Sequence, residues 1–388
     1  MNVGWSAQAQ VDKPAGWTAA QRAALASAIV RAHRDCQVAV HGGEKDYLRA
    51  LHCAAKGGNE PIGSPAMMLT RFKRLERWFR AGSEIDPARI DPYLQPVETR
   101  EEEDLWRVAR ACWSMPYSKG YGRRLRFLIV DRAHDALIGI LGLQSPPADL
   151  KSRDDLFDYP PGQKLDLVNQ TLDAYTVGAL PPYSFLLGGK LAAGLISSDE
   201  VRQAYWRRYA AKRTKLIGQL VSQPLVAVTT TSAFGRSSMY NRLRFRDRAL
   251  AEPIGYTLGY GMLHLEHLYD QITKFLAAEG ALTPNGYGNG PKVRWQNATK
   301  ALVALELPRT LLVHGVQRQV FLFPLVERLA EGMAGGIFGP PLRMSASDYG
   351  QFWRERWAEP RAARFPHWNQ TDARQLVREK LSNWSAPA

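Results

Sequence analysis

The sequence predicts a mixed α+β fold, in which helices flank a central sheet, with a helical N-terminal unit and a helical C-terminal extension. Apolar, β-branched runs at residues 125–130, 136–143 and 225–231 have the length and composition of buried strands. Capping boxes at Thr18–Gln21 and Thr99–Glu102 mark two helix starts. The chain of 388 residues, 45% of them hydrophobic, is long enough for two or three structural units.

Composition and the positions of proline, glycine and helix-capping residues divide the chain into four predicted parts. Residues 1–85 are predicted as a helical N-terminal unit and residues 86–270 as an α/β core that begins with a proline-bearing linker at 86–97. Residues 271–345 are predicted as a helical and loop extension of that core, and residues 346–388 as a helical tail.

The charge balance is strongly basic, because 51 Lys and Arg outnumber 37 Asp and Glu, giving a net charge of +14. Such an excess favours an anionic partner, with nucleic acid first and a membrane surface second. No apolar run reaches the ~18 residues that span a bilayer, and residues 1–11 lack the apolar segment of a signal peptide. The three cysteines are scattered. We therefore expect a cytoplasmic protein without a disulfide framework or a membrane partner.

The N-terminal unit is predicted to contain helices at about 23–34, 44–55 and 66–80, after a loose leader at 1–17. Its ligand-type side chains are His33, Cys36, His41, His52 and Cys53. Their spacing matches no zinc pattern, and adjacent helical residues point apart. We therefore expect ordinary packing of these side chains and no metal.

A basic, glycine-punctuated loop follows the helix that ends near Trp113. Glycine lets backbone amides approach an anion, cations hold phosphate and tyrosine stacks on a base. We therefore predict that Lys119, Tyr121, Arg123 and Arg124 in this loop bind nucleic acid. The alternative is a solvated basic hairpin.

A strand, a turn and a helix are predicted between residues 173 and 197, with paired glycines in the turn. Helix N-termini that follow such turns bind phosphate. Gly188, Gly189 and Lys190 are therefore candidate cofactor-binding residues. The alternative is that the glycines permit close packing of helix and sheet.

The next predicted helix, at 201–212, alternates basic residues with Tyr205, Trp206 and Tyr209. This mixture favours nucleic-acid binding over a plain solvated face. The basic candidates are Arg202, Arg207, Arg208, Lys212 and Arg213.

The stretch 225–245 is predicted as a buried strand, a small polar turn and a short helix at 237–243. Free backbone amides at such a junction, with Arg236, Arg242 and Arg244 nearby, are suited to an anion. The alternative is a strand followed by a solvated basic turn. Beyond it, helices are predicted at about 298–306 and 323–331, with a flexible loop at 283–291.

Nine ordered motifs between residues 85 and 335 resemble the DruA family of the Druantia anti-phage defence systems. The motifs are residues 116–124 (PYSKGYGRR), 137–140 (LIGI), 173–175 (DAY), 180–183 (LPPY), 187–191 (LGGKL), 229–232 (TTTS), 235–243 (GRSSMYNRL), 288–291 (GNGP) and 314–316 (HGV). The resemblance implies a role in bacterial defence against phage, alongside a large helicase-like partner.

The core at 86–270 is also similar to the GCN5-related acetyltransferase fold, through the hairpin, the strand–turn–helix at 183–191 and the segment at 238–245. That resemblance implies that Leu187, Gly188, Gly189 and Lys190 cradle the pyrophosphate of coenzyme A and that Tyr240 protonates the leaving thiolate. The chain departs from the usual glycine loop by placing Phe185, Leu186 and Leu187 where amides face phosphate. No cofactor is therefore expected, and acyl-CoA is the alternative.

Three functions follow from these patterns. The favoured one is a DNA-binding or DNA-sensing component of a defence complex, with the form of DNA left open. The second is an acyl- or aminoacyl-type transferase that uses Tyr240. The third is a nuclease, for which Asp173, His264, His267 and His314 are the candidate catalytic residues.

Overall fold

The computed structural model describes residues 16–43, 45–54, 64–113, 115, 120–213, 218, 220, 225–233, 235, 237–284 and 293–382. Within this part of the chain there are nine strands, and the fold is mixed α+β as the sequence predicts. The strands are β1 (Pro92–Pro96), β2 (Leu125–Asp131), β3 (Ala136–Gln144), β4 (Thr171–Ala179), β5 (Ala227–Thr231), β6 (Arg244–Phe245), β7 (Arg248–Ala249), β8 (Glu252–Tyr256) and β9 (Gln319–Pro324).

The helices of the described residues lie before, between and after these strands. They are α1 (Ala19–Gly42), α2 (Lys45–Ala54), α3 (Pro65–Leu75), α4 (Arg100–Ala111), α5 (Lys151–Asp154), α6 (Lys164–Val168), α7 (Gly188–Gly194), α8 (Asp199–Tyr209), α9 (Tyr269–Ala278), α10 (Val293–Ala304), α11 (Leu329–Gly335), α12 (Ala346–Trp353), α13 (Glu359–Arg364) and α14 (Ala373–Ser382). Short 3-10 turns connect several of them, and one π-helical turn, Arg354–Ala358, joins α12 to α13. No helix in the described ranges combines the length and the apolar character needed to cross a bilayer.

Seven strands form one sheet in the order β1-β2-β3-β4-β5-β9-β8, and all neighbours are antiparallel except β4 and β5. The parallel pair aligns Asp173 with Thr229, and the antiparallel pair β3–β4 aligns Gln144 with Asp173. Three polar side chains therefore lie side by side across the middle of the sheet.

Helices cover both faces of this sheet. On one face, Leu172 and Val228 pack in a large apolar cluster with Leu191 of α7 and Tyr205 of α8. On the other face, α3 and α4 cover β2 and β3 through a second cluster, in which Trp106 is fully buried. Burial on both faces explains why the strand runs read as almost continuously apolar.

The chain divides into two compact units, residues 1–44 with 260–315, and residues 45–259 with 316–388. The first unit has its own core, in which Leu25 and Ile29 of α1 pack with Phe275 of α9 and Leu302 of α10. The second contains the whole sheet. Helix α1 thus belongs to the first unit, whereas α2 and α3 belong to the second, a division that differs from the boundaries at residues 85, 270 and 345 suggested by composition.

The segment at 86–97, predicted as a linker, contains strand β1. Pro92 and Pro96 pair with Asp131 and Phe127 of β2 at the edge of the sheet. Proline is tolerated there because an edge strand leaves half of its amides without a ladder partner. The prolines that suggested a linker in the sequence therefore belong to an edge strand.

The helix predicted at 237–243 is absent, and the segment forms tight turns instead. The Lys190 ammonium donates to the carbonyl oxygens of Ser238 and Asn241 at 2.9 and 3.1 Å. Arg242 has a left-handed φ of 56°, which ends any helical turn. These carbonyls are bound by an ammonium group rather than by the amides of a following helical turn.

The helix predicted at 323–331 is displaced, because β9 extends to Pro324 and α11 begins only at Leu329. Phe321 and Phe323 are fully buried between β5 and β8. A short apolar run has no periodicity that separates a buried strand from a buried helix.

A buried carboxylate fixes the hairpin between β2 and β3. Asp131 Oδ2 accepts from the Tyr183 hydroxyl at 2.8 Å and from His134 Nδ1 at 2.6 Å. Its Oδ1 accepts from the backbone amides of Asp91 and Ala133 at 3.0 and 3.1 Å. Four donors therefore compensate the desolvation of this fully buried side chain.

Candidate nucleic-acid interface

Two tyrosines of α8 dock the end of that helix onto the start of β2. The Tyr209 hydroxyl accepts from the Arg124 backbone amide at 2.6 Å and donates to the Arg124 carbonyl at 2.8 Å. The Arg123 guanidinium donates to the Tyr205 hydroxyl and lies over the Tyr205 ring. The structure thus brings together two of the basic segments that the sequence singled out separately.

The residues that α8 leaves in solvent near this junction are predominantly cationic. Tyr205 and Tyr209 are buried, so they position the helix rather than offer rings to a ligand. Asp199 and Glu200 lie in the first turn of α8, where the helix dipole favours negative charge, and the cations follow toward its C-terminal end. The exposed cations of this surface are Arg124, Arg207, Arg208, Lys212 and Arg213.

A surface cavity of about 290 Å³ lies at this junction. Four arginines line it together with two glutamates and the residues before α4. The lining residues are Val97, Glu98, Thr99, Glu103, Arg107, Arg124, Arg126 and Arg208.

The arginines of the cavity differ in their partners. Arg107 and Arg126 reach the Glu103 carboxylate at 2.7 and 3.4 Å, and Arg126 also stacks 4.7 Å from the Trp106 ring centre. Arg208 forms no ion pair with any described residue and is exposed. The cavity therefore retains positive charge that an incoming phosphate can neutralise.

Arg107 and Arg126 were not among the residues nominated from the sequence. Arg126 lies between buried Leu125 and buried Phe127 in β2. Successive side chains of a strand point to opposite faces, so this position could have indicated that Arg126 points away from its two neighbours. Nothing in the sequence indicated that Arg107 faces the same cavity, because that depends on how α4 packs against the sheet.

Arg202, predicted to bind nucleic acid, is turned toward the protein interior. Its side chain is buried, pairs with Asp199 and donates to the Leu325 carbonyl oxygen at 3.2 Å. It ties the first turn of α8 to the residue that follows β9. The periodic basic pattern could not reveal this, since Arg202 lies on the inward face of α8.

The remaining basic candidates are distributed differently. Arg242 and Arg244 are exposed near the small β6–β7 ribbon, which packs through Phe245 against Tyr349 and Phe352. Lys119 and Arg236 lie outside the described residues, as do residues 1–15 of the predicted leader and most of the loop at 283–291.

Tyr121 remains exposed over 44% of its surface, so part of its ring is open to a ligand. Its backbone amide donates to Gln144 Oε1 at 3.3 Å. Partial burial of the phenol, together with the nearby Asp173 carboxylate, raises the pKa of Tyr121 to about 12. The hydroxyl is therefore a neutral hydrogen-bonding group at physiological pH.

The paired glycines lie where β4, the turn and α7 are in close contact. A Cβ on Gly188 would lie 2.7 Å from the Tyr183 carbonyl oxygen, and one on Gly189 would lie 3.1 Å from Met239 Sδ. Burial lowers the pKa of Lys190, whose ammonium binds the turn at 238–241. Both glycines and the lysine are therefore closely packed in this structure, and their role in binding a cofactor stays a prediction.

Asp173 lies where β4 pairs with β5 in parallel. Gln144 Nε2 donates to its Oδ2 and Thr229 Oγ1 donates to its Oδ1, both at 3.1 Å. The carboxylate is thus oriented by both neighbouring strands. A catalytic role for Asp173 stays a prediction.

Tyr240 is buried in the apolar cluster on the face of the sheet that α7 and α8 cover. Its ring centre lies 4.9 Å from that of Phe321 and 6.1 Å from that of Phe323. Burial raises the pKa of the phenol well above its usual value. Tyr240 therefore packs as a core residue in this structure, and its predicted role as an acid stays a prediction.

The histidines nominated for catalysis belong to the first compact unit. The ring centres of His264 and His314 lie 6.0 Å apart, and His264 Nε2 donates to the Leu311 carbonyl at 2.8 Å. Burial lowers the pKa of His264 to about 4, and burial also lowers that of His267. Cys36, from the rejected zinc set, donates to the His314 carbonyl and has a pKa raised by burial to about 11.

The positions of the described His, Cys, Asp and Glu side chains show whether any of them are close enough to share a metal ion. In those ranges no group of three or more His, Cys, Asp and Glu side chains converges as the ligands of a metal ion would. His33 and His264, whose ring centres are 5.6 Å apart, each donate to a backbone carbonyl instead.

Comparison with known proteins gives a consistent result. The family model described as "Druantia protein DruA" matches residues 43–335. A curated protein of that name from Escherichia coli (strain UMEA 4076-1) is 35% identical over 343 residues, which cover 86% of this chain and 84% of the relative. No solved structure matches the chain.

Proposed function

This chain belongs to the DruA family and is a component of a Druantia anti-phage defence system, and from that premise we propose that it binds DNA. The proposed interface is the surface formed by the start of β2 and by α8. The observation that carries the proposal is the double hydrogen bond between Tyr209 and the Arg124 backbone, because it joins two basic segments into one surface.

The character of that surface supports phosphate binding. Arg124 and Arg208 both line the cavity, and Arg207, Lys212 and Arg213 are exposed beside it. Positive side chains that neutralise phosphates release condensed counterions, which supplies most of the free energy of non-specific DNA binding. A chain with a net charge of +14 has the long-range field to attract such a partner.

We further propose that the sheet is an acetyltransferase-like core that serves binding rather than acyl transfer. The succession of β4, the turn before α7 and α7 itself supports the likeness, as does the parallel pair β4–β5. The space around Gly188 and Gly189 is occupied by the chain's own atoms, which favours a packing role over a coenzyme A cradle. No cofactor is part of the proposal.

The proposed partner, besides DNA, is a helicase-like protein of the same defence system. The resemblance to the DruA family supports this partnership, and a basic DNA-binding subunit would deliver nucleic acid to such an enzyme. Co-purification of the two proteins, with and without DNA, tests the partnership.

The DNA-binding proposal is tested by fluorescence anisotropy against single-stranded, duplex and forked DNA at two salt concentrations. We expect binding that weakens steeply with salt and that is lost in the double variant Arg124→Glu, Arg208→Glu. The matched control is Arg31→Glu, Arg309→Glu, which makes the same charge change at exposed residues of the other compact unit. Equal binding by both double variants would reject the interface, and no binding to any form would reject the function.

A further inference from the structure

A second concave surface lies beside the inward edge of α8. This groove has a volume of about 540 Å³ and is bounded by α8, the residues before β5 and the loop after α11. The residues that matter for its chemistry are Gln203, Trp206, Leu225, Ile337, Phe338 and Arg343.

The wall opposite α8 is held in place by backbone hydrogen bonds. The Glu327 amide donates to the Pro340 carbonyl at 2.9 Å, and the Gly339 amide donates back to the Glu327 carbonyl at 3.2 Å. The Leu342 amide donates to the Leu325 carbonyl at 2.9 Å, next to β9. The loop that carries Ile337 and Phe338 is therefore anchored at its base, so the groove is preformed.

Large apolar groups are exposed in this groove. The Trp206 side chain is 43% exposed, and Ile337 at the opposite wall is 85% exposed. The one carboxylate of the lining, Asp199, is paired with Arg202. The groove thus presents an indole ring and an aliphatic side chain, and the only carboxylate among its described lining residues is paired with an arginine.

Cations flank these apolar groups. Arg343 is exposed at the groove, Arg207 is exposed next to Trp206 on α8, and neither forms an ion pair within the described residues. An indole that shares its groove with Arg343 and is followed on α8 by exposed Arg207 suits a ligand that alternates flat rings with phosphates. Charge complementarity therefore points to a nucleic-acid strand.

We propose that this groove binds an unpaired base of single-stranded nucleic acid, with Trp206 as the stacking surface and with Arg207 and Arg343 at the adjacent phosphates. The proposal rests on the proposed function and specifies the form of DNA that is bound. A duplex stacks its bases on one another, so it has no free base face to offer Trp206, whereas a single strand does.

Helix α8 links the groove to the arginine cavity. Trp206 lines the groove, Arg208 lines the cavity, and the two residues project from opposite flanks of α8 because they are two positions apart. Arg207 lies between them in sequence and is exposed. A single strand is flexible enough to cross the helix at Arg207 and to occupy both sites.

The test compares a single-stranded oligonucleotide with a duplex of the same length. Trp206→Ala should weaken single-strand binding by about tenfold, as expected for one stacked base, and should leave duplex binding unchanged. Trp206→Phe, which keeps a stacking ring, should retain most of the affinity. Wild-type protein should also bind a strand of abasic sites about tenfold more weakly, a result that does not depend on the folding of any variant.

The outcomes separate this inference from the function on which it rests. If Trp206→Ala and the abasic strand both leave affinity unchanged while Arg124→Glu, Arg208→Glu abolishes it, the base site is wrong and the DNA interface stands. If wild-type protein binds duplex more tightly than single strands, the base site is also wrong. If wild-type protein binds no nucleic acid, both proposals fail.

Discussion

The Tyr209 hydroxyl bridges the backbone of Arg124, accepting from its amide at 2.6 Å and donating to its carbonyl at 2.8 Å. One side chain at the end of α8 thereby satisfies both backbone groups of a residue at the start of β2. This bridge sets the position of the basic end of α8 relative to the cavity that Arg124 and Arg208 line.

Removing the bridge should loosen the interface. Tyr209→Phe keeps the ring but leaves the Arg124 amide and carbonyl without this partner, which costs about 1–3 kcal/mol of unfolding free energy. We expect lower stability in urea unfolding and several-fold weaker DNA binding. Tyr260→Phe, at an exposed tyrosine of the other compact unit, is the control. Unchanged DNA affinity in Tyr209→Phe would show that the bridge does not organise the binding surface.

Two arginines of α8 should behave in opposite ways. Arg202 is buried and pairs with the partly buried Asp199, whereas Arg207 is exposed. Arg202→Gln should destabilise the fold by about 2 kcal/mol or more because it leaves the partly buried Asp199 carboxylate without its cation. Arg207→Gln should leave stability within about 0.5 kcal/mol and should weaken DNA binding instead. Urea unfolding and anisotropy on both variants check this, and a stable Arg202→Gln protein with weakened binding would contradict it.

The paired glycines provide a test of packing against cofactor binding. Gly188→Ala places a methyl group 2.7 Å from the Tyr183 carbonyl and should lower unfolding free energy by about 1–3 kcal/mol. Acetyl-CoA should leave the melting temperature of the wild type unchanged, because only a ligand that binds the folded state raises it. A clear rise in melting temperature with acetyl-CoA would restore the acyl-transfer hypothesis.

Burial of His264 predicts a loss of stability in mild acid. Its pKa is lowered to about 4 by burial, with a smaller effect of nearby His33, whereas an unfolded histidine titrates near 6.5. The unfolded state therefore takes up the proton first as pH falls, and the folded state loses about 2 kcal/mol between pH 7 and pH 5 through this residue.

Urea unfolding at the two pH values checks this prediction. His264→Gln, whose amide can donate to the Leu311 carbonyl as the imidazole does, should lose that part of the pH dependence. His41→Gln, at an exposed histidine, should retain it. The same pH dependence in His264→Gln as in the wild type would contradict the assignment.

The sequence predicted the parts of the fold that local patterns determine. The hairpin of β2 and β3 and the capped starts of α1 and α4 were correct, because short apolar runs and capping boxes are local signals. The turn at 237–243 was missed because Lys190, almost fifty positions earlier, binds its carbonyls. Strand β1 was missed because its prolines are acceptable only at a sheet edge, which sequence alone does not show.

The candidate site was also predicted only in part. The composition of α8 predicted that Arg207 and Arg208 are exposed cations, but it did not predict that Arg202 is buried. The cavity arginines Arg107 and Arg126 depend on the packing of α4 against β2, a long-range contact without a local signature.

The most direct test of the DNA interface is the slope of log affinity against log salt concentration for a single-stranded oligonucleotide. Neutralising two phosphate-binding cations with Arg124→Gln, Arg208→Gln should reduce the slope by about 1.4, or about 0.7 per lost phosphate contact. The double variant Arg31→Gln, Arg309→Gln should keep the wild-type slope. A wild-type affinity that does not depend on salt, or equal slopes in the three proteins, would contradict the account.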